Sequence, residues 1–284
     1  GGGGAAALTF DVASIDTTGV ATPTISGLDN LAVNLSGTTS LANYLDIQDN
    51  YTTGVVTATI EARTKAQMLV ETVSGTNDVV NGNNLTLDIT DATFTTAELI
   101  ELNNLTTGAV ELTGGGSAVT ITGTVSDLNT IFAAKVSAGG NGFLDTGLAD
   151  AAATTTDTGN VSAAELKAIS AATTGTVNID TVTRITGLLA DLNSVLADGQ
   201  ISNKGDQNVT VTDATIDASA LATLLADGAG LTTGNVLITA SSMTGTEAQV
   251  SLIIDDTVTN AGGLVAEHPV DSGGNTVTGL EAIN

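Results

Sequence analysis

The stretch Thr95–Leu112, TTAELIELNNLTTGAVEL, combines the two patterns that decide the fold of this 284-residue chain. Thr95 and Glu98 have the Ser/Thr-x-x-Glu spacing of a capping box, which satisfies exposed N–H groups at a helix start. Leu99 and Leu102 then follow at helical spacing. The residues after Thr-Thr-Gly alternate in the period-two pattern of a strand. The stretch predicts a short helix, a glycine that leaves the helix in a left-handed conformation, and a strand.

The same pattern recurs along the chain, which indicates internal repeats. Its other copies are SLANYLDIQDNYTTGVVTATI from Ser40, SAAELKAISAATTGTVNI from Ser162 and SALATLLADGAGLTTGNVLI from Ser219. Two further elements also recur: ITGTVSDLNTIF from Ile121 with ITGLLADLNSVL from Ile185, and LTLDITDATFTT from Leu85 with VTVTDATIDASA from Val209. The positions of the Thr-Thr-Gly glycines predict about four repeats of ~60 residues each.

Strands that alternate with short helices favour parallel pairing with right-handed crossovers. One repeat cannot bury its own apolar face, so the copies must stack. Aromatic residues make up only 2% of the chain, and small or branched apolar residues fit thin stacked layers. We therefore expect one elongated, right-handed parallel β-solenoid over residues 8–284, with short helices between strands, after a linker or unassigned stretch at residues 1–7. Tandem all-β sandwich domains are the alternative.

The charge balance restricts the partners of the chain. It has 31 acidic and 6 basic residues and a formal net charge of -25. Such a surface repels phosphate backbones and anionic lipid headgroups, so we expect no nucleic acid as a partner. No apolar run approaches the roughly 18–20 residues that would span a membrane, and we expect no membrane insertion. The chain has no cysteine, which excludes disulfides and thiolate metal sites.

Several segments carry a resemblance to a known class of proteins. ISGLDNLAVNL from Ile25 and VTGLEAIN from Val277 resemble a turn that is common in bacterial S-layer and RTX-type exoproteins. The repeat AAELKAISAATTGTV is similar to repeats in very large, Thr- and Asp-rich surface proteins of bacteria, cyanobacteria among them. The resemblance implies export by a one-step exporter, an extracellular, cell-surface location, calcium-assisted rigidity, and assembly into a lattice, fibre or coat.

Oxygen-rich turns are the candidate metal sites. Calcium binds six to eight oxygen ligands from carboxylates, amides and carbonyls. The candidate ligands lie in two loops and are Asp78, Asn81, Asn83, Asn141 and Asp145. The second loop, GGNGFLD from Gly139, departs from the RTX calcium motif because its aspartate comes one place late. The alternative is that these residues only form turns, since Asp and Asn side chains bond nearby backbone groups. Asp88, Asp91 and Asp213 lie beside predicted strands and are interpreted as solvated or turn-forming.

Catalysis has little support in the sequence. His268 is the single histidine, and the best acidic pair is Asp255 and Asp256. A polysaccharide-cleaving enzyme needs two carboxylates in a sugar cleft, which aromatic and arginine side chains usually line. We expect a structural protein that assembles with itself into a surface layer or filament, with cell-surface polysaccharide as a further candidate partner. The alternative is the stalk segment of a large adhesin.

Overall fold

The computed structural model describes residues 8–11, 31–50, 54–73, 83–137, 140–204, 206–225, 235–250, 253 and 277–278. The chain divides into two compact units. The first contains residues 1–120 and 131–151, and the second contains residues 121–130 and 152–284. The predicted linker at residues 1–7 lies outside the described residues.

Short strands alternate with short helices through most of the described chain. The helices are α1 (Leu41–Asn50), α2 (Lys65–Val73), α3 (Thr96–Asn104), α4 (Val125–Ala133), α5 (Asp145–Leu148), α6 (Ala163–Ala172), α7 (Leu189–Ala197) and α8 (Ala218–Leu225). The strands up to residue 144 are β1 (Leu8–Asp11), β2 (Val33–Thr39), β3 (Val56–Arg63), β4 (Asn84–Ile89), β5 (Thr93–Thr95), β6 (Ala109–Leu112), β7 (Thr120–Gly123), β8 (Lys135–Val136) and β9 (Gly142–Leu144). The later strands are β10 (Ala152–Thr155), β11 (Asn160–Ser162), β12 (Val177–Asn178), β13 (Arg184–Gly187), β14 (Ile201–Ser202), β15 (Asn208–Val211), β16 (Thr215–Asp217), β17 (Val236–Ile238), β18 (Ser242–Thr244) and β19 (Val277–Thr278).

The strands form several parallel sheets. The first unit contains a seven-stranded sheet in the order β1-β2-β3-β4-β6-β9-β8. The second unit contains a five-stranded sheet in the order β11-β13-β15-β17-β19, the neighbouring strands β14-β12-β10, and the pair β16-β18. The registers are parallel throughout, as in β11 with β13 and β13 with β15. The predictions of parallel pairing and of helices between strands are therefore confirmed.

The prediction of a right-handed parallel β-solenoid is wrong, and so is its alternative of all-β sandwich domains. The structure is a mixed α/β fold in which separate, open parallel sheets are interleaved with helices. The physical reason lies in the apolar residues at helical spacing. Leu189, Leu192 and Val195 of α7 are all buried, so helices supply a large part of each core. The strands are short, and each sheet needs helices to cover it.

The helix starts lie where the capping patterns place them. Thr95 caps α3 in a complete capping box, with the Thr95 hydroxyl bonded to the N–H of Glu98 and the Glu98 carboxylate bonded to the N–H of Thr95. Ser162 caps α6 through its bond from the N–H of Glu165. These bonds satisfy N–H groups that the first helical turn leaves without a partner.

The structural spacing between paired strands in the second unit is shorter than the spacing of the Thr-Thr-Gly copies. Asn160 pairs with Arg184 and Arg184 pairs with Asn208, which is a separation of 24 residues at each step. Strand–helix segments without Thr-Thr-Gly, such as β7 with α4, lie between the copies. The sequence motif therefore marks only some of the strand–helix segments that stack in the fold.

Candidate functional site: polar bridges between neighbouring strands

The predicted calcium ligand Asn83 is a buried link between a helix and two strands. It lies immediately before β4, and 1% of its surface is exposed. Its Oδ1 accepts a hydrogen bond from the N–H of Val56 at 2.8 Å, and its Nδ2 donates to the hydroxyl of Tyr44 at 2.6 Å. Tyr44 lies on α1 and is fully buried. Both ends of the Asn83 amide are therefore occupied by protein groups.

A chain of polar contacts continues from Asn83 to the next strands of the same sheet. The hydroxyl of Thr107, which precedes β6, donates to the carbonyl oxygen of Asn83 at 2.9 Å. The hydroxyl of the adjacent Thr106 donates to the carbonyl oxygen of Leu85 at 2.7 Å. Asn141, which precedes β9, donates to the carbonyl oxygen of Thr106 at 3.3 Å and accepts from Nδ2 of Asn103 at 2.7 Å. Because β4, β6 and β9 are neighbours, these side chains connect the starts of consecutive strands.

The structure brings together only part of the predicted calcium set. Asn83 and Asn141 belong to one polar chain, whereas Asp145 begins α5 beyond the other end of β9 and forms an ion pair with Lys135 at 2.5 Å. Asp78 and Asn81 lie outside the described residues. In the part of the chain that the structure describes, no three His, Asp or Glu side chains come together in a way that would hold a metal ion. Calcium binding at these residues stays a prediction.

Three aspartates perform a role that the sequence reading missed. Oδ2 of Asp91, Asp157 and Asp213 accepts a hydrogen bond from the first N–H of α2, α4 and α7, at 2.5, 2.6 and 2.7 Å. Each aspartate lies in the turn between two later strands and reaches back by 24 to 32 residues. A carboxylate also interacts favourably with the positive end of a helix dipole. For Asp91 and Asp213, the signal in the sequence was the repeated Thr-Asp-Ala turn, which looks like a solvated turn when it is read locally. Asp157 lies in Thr-Asp-Thr and does not carry this signal.

We predict that Asp213→Ala lowers the free energy of unfolding by about 1 kcal/mol, as for the loss of an N-cap. The cause is the loss of the bond from the N–H of Leu189 at the start of α7. Asp206→Ala is the matched control, because Asp206 is an exposed aspartate in the same unit and the charge change is the same. Urea unfolding measures both variants. Equal effects would show that charge, and not the cap, accounts for the change.

The second unit has its own polar bridges between strands. Asn203 has a positive φ of 58°, and its Nδ2 donates to Oδ1 of Asn178 at 2.8 Å. Asparagine tolerates this left-handed conformation better than most residues. Nε2 of Gln200 donates to the carbonyl oxygens of Thr173 and Gly175 at 2.8 and 3.1 Å. Gln200 and Asn203, the amide side chains on either side of β14, therefore bind the backbone or side chains of the neighbouring segment.

Among the described residues, the pKa values of Glu98 and Lys204 are shifted by their local surroundings. Partial burial acts to raise the pKa of Glu98, but the bonds from Lys65 and Thr95 outweigh it and hold the pKa below its ordinary value. Desolvation lowers the pKa of Lys204, against the opposing charge of Asp198. The Lys204 ammonium donates to the carbonyl oxygens of Val195 and Asp198 at the end of α7. Both groups therefore stabilise helix ends.

The candidate catalytic residues Asp255, Asp256 and His268 lie outside the described residues. Asp88, which was interpreted as solvated or turn-forming, accepts a hydrogen bond from the hydroxyl of Thr113 at 2.9 Å.

Within the described ranges, no helix has the length and apolar character required to cross a membrane. No family model, curated protein or solved structure matches the chain.

Proposed function

We propose that the chain is an extracellular structural protein, part of a cell-surface layer or filament that assembles from copies of itself. The observation that carries the proposal is the use of its polar side chains. Asn83, Asp91 and Asp213, which could serve as ligands or acid–base groups by residue type, instead hold helices and neighbouring strands together. This use of polar groups gives a scaffold internal cross-links. The resemblance to bacterial S-layer and RTX-type proteins points to the same class and remains a prediction.

The open parallel sheets supply a means of association. Among the described strands of the second unit, β11 ends its sheet and has β13 on one side. An edge strand presents unpaired N–H and C=O groups that can pair with another chain. Asn160 of β11 is exposed, whereas Val161 is buried in the core. The backbone of this edge is the surface through which we propose that copies join.

The negative net charge of the chain makes the association of copies dependent on cations in this proposal. A net charge of -25 makes copies repel each other, and multivalent cations screen that repulsion. We include calcium in the proposal on this ground.

The alternative function is the stalk of an adhesin, in which the chain is a monomer and its ligand binds elsewhere in a longer protein. The two functions differ in whether copies of the chain associate.

Electron microscopy and sedimentation in millimolar calcium, and again after chelation, test the proposal. We expect ordered sheets or filaments that dissolve when calcium is removed. Magnesium at the same concentration is the control for general charge screening. A monomer in every condition would contradict the proposal and favour the stalk. Assembly that does not depend on calcium would retain the structural function and exclude the role of the cation.

A pair of variants tests the edge. Asn160→Glu places an additional charge on β11, and we expect it to lower the assembled fraction at least tenfold, because charged side chains oppose edge-to-edge pairing. Ala164→Glu is the control: it is also exposed, adds the same charge and lies four residues away in the first turn of α6. Circular dichroism confirms that both variants are folded. Equal assembly of the two variants would place the contact elsewhere.

A further inference from the structure

Asn141 and Gly142 form one of the two Asn–Gly pairs of the chain. In the structure, the asparagine of this pair is exposed and the glycine cannot be replaced by another residue. The Asn141 side chain is exposed, and Gly142 is the first residue of β9. The φ angle of Gly142 is 145°, and a Cβ atom there would lie less than 3.0 Å from the carbonyl oxygen of Ala134. Only glycine fits this position, because both the angle and the space exclude a side chain.

We infer that Asn141 is a site of spontaneous deamidation, a self-modification that needs no cofactor. The backbone nitrogen of Gly142 loses its proton and attacks Cγ of Asn141, which forms a five-membered succinimide. The Cγ–Nδ2 bond breaks, and the amide nitrogen takes up a proton and leaves as ammonia. Water then opens the ring at one of its two carbonyls and produces aspartate or isoaspartate. Glycine hinders this attack less than any other residue does. Because only glycine fits at position 142, the fold requires the residue that makes Asn141 reactive.

The position of Asn141 determines what the modification does. Its Nδ2 donates to the carbonyl oxygen of Thr106, and its Oδ1 accepts from Nδ2 of Asn103. A carboxylate has no proton to donate, so after deamidation it faces the Thr106 carbonyl as one acceptor against another. Isoaspartate also adds a methylene group to the main chain directly before β9. Both products break the polar contact between the starts of β6 and β9.

The modification therefore loosens one defined part of the first unit. The contact of Asn83 with Tyr44 and Val56 involves other atoms and stays intact. We expect faster backbone hydrogen exchange in β9 and α5 after deamidation, with β3 and β4 unchanged. The reaction becomes faster as the pH rises, because the attacking backbone nitrogen must lose its proton.

The test uses the full chain, incubated at 37 °C at pH 6 and pH 9, with peptide mass spectrometry and isoaspartate detection. We expect Asn141 to convert at least tenfold faster at pH 9, and Asn83, which is buried and precedes Asn84, to remain an amide. The other Asn–Gly pair, Asn81–Gly82, is the internal reference for reactivity. Conversion of Asn81 without conversion of Asn141 would show that the fold protects Asn141 and would overturn the inference.

Two variants separate the reaction from its consequence. Asn141→Asp imitates the product, and we expect the same increase of exchange in β9 without incubation. Asn141→Gln retains an amide but closes a less favourable ring, so it should resist conversion at pH 9. If Asn141→Asp leaves the exchange of β9 unchanged, the proposed structural effect is wrong. If Asn141→Gln produces the same isoaspartate signal, the assigned site is wrong.

Discussion

Asn83→Ala is expected to lower the free energy of unfolding by about 3 kcal/mol, the largest effect among the polar positions. The substitution removes the acceptor of the Val56 N–H and a donor to the Tyr44 hydroxyl, and both residues are buried. A buried polar group that loses its partner costs about 1–3 kcal/mol. The carbonyl oxygen of Asn83 still accepts from the hydroxyl and the N–H of Thr107, so the backbone contacts of this position persist.

The control for this prediction is Asn84→Ala, because Asn84 is the adjacent asparagine and is exposed. We expect it to change the free energy of unfolding by less than about 0.5 kcal/mol, as surface substitutions usually do. Denaturant unfolding measures both. A double-mutant cycle adds detail: in a Tyr44→Phe background, Asn83→Ala should cost less, since the hydrogen bond between the two side chains is already absent. Strict additivity would contradict the assigned contact.

Gly108→Ala is expected to lower the free energy of unfolding by about 2–3 kcal/mol through overpacking. A Cβ atom at this position would lie less than 3.0 Å from the carbonyl oxygen of Leu85 and from Oδ1 of Asn84. The first of these is a backbone atom at the start of β4, which pairs in parallel with β6 directly after Gly108. The clash can therefore be relieved only by moving one strand away from the other.

Gly159→Ala is the matched control, because a Cβ atom at Gly159 meets nothing within 4 Å and the residue has no positive φ. At such a position, alanine restricts the unfolded chain, and the substitution should be neutral or stabilise the protein by about 0.4–1 kcal/mol. Thermal and urea unfolding distinguish the two variants. If Gly108→Ala is as well tolerated as Gly159→Ala, the close approach of the two strands is not a constraint on the fold.

The structural role of the glycines in the Thr-Thr-Gly motif differs from the role that the sequence predicted. The glycine was predicted to adopt a left-handed conformation at the end of a helix, and this is wrong, since neither Gly54 nor Gly108 has a positive φ angle. Both glycines instead lie against the backbone of a neighbouring segment, Gly54 against Leu31 and Gly108 against Leu85. The Thr-Thr-Gly motif predicted correctly that these positions require glycine. The reason for it depends on a residue 23 positions away in each case.

For the candidate site, too, the sequence identified the residues but not their partners. The turns that contain Asn83 and Asn141 could be recognised as oxygen-rich, and both residues use their side chains in specific contacts. The partners of those contacts, Tyr44 and Asn103, are 39 and 38 residues distant in sequence. The cap from Asp213 to Leu189 could not be predicted for the same reason. Such pairs depend on which strands become neighbours, and a single sequence does not specify that.

The sequence by itself determined the local elements, because capping and periodicity act over a few residues. Thr95 with Glu98 started α3, the spacing of Leu99 and Leu102 selected its buried face, and the alternation after Gly108 made β6. The parallel pairing also followed from this alternation of helix and strand. Tertiary structure alone decided that the strands divide among separate open sheets in two units, since burial of the helices competes with continuous stacking of strands. It also decided that the polar residues of the turns are occupied by distant backbone and side-chain partners.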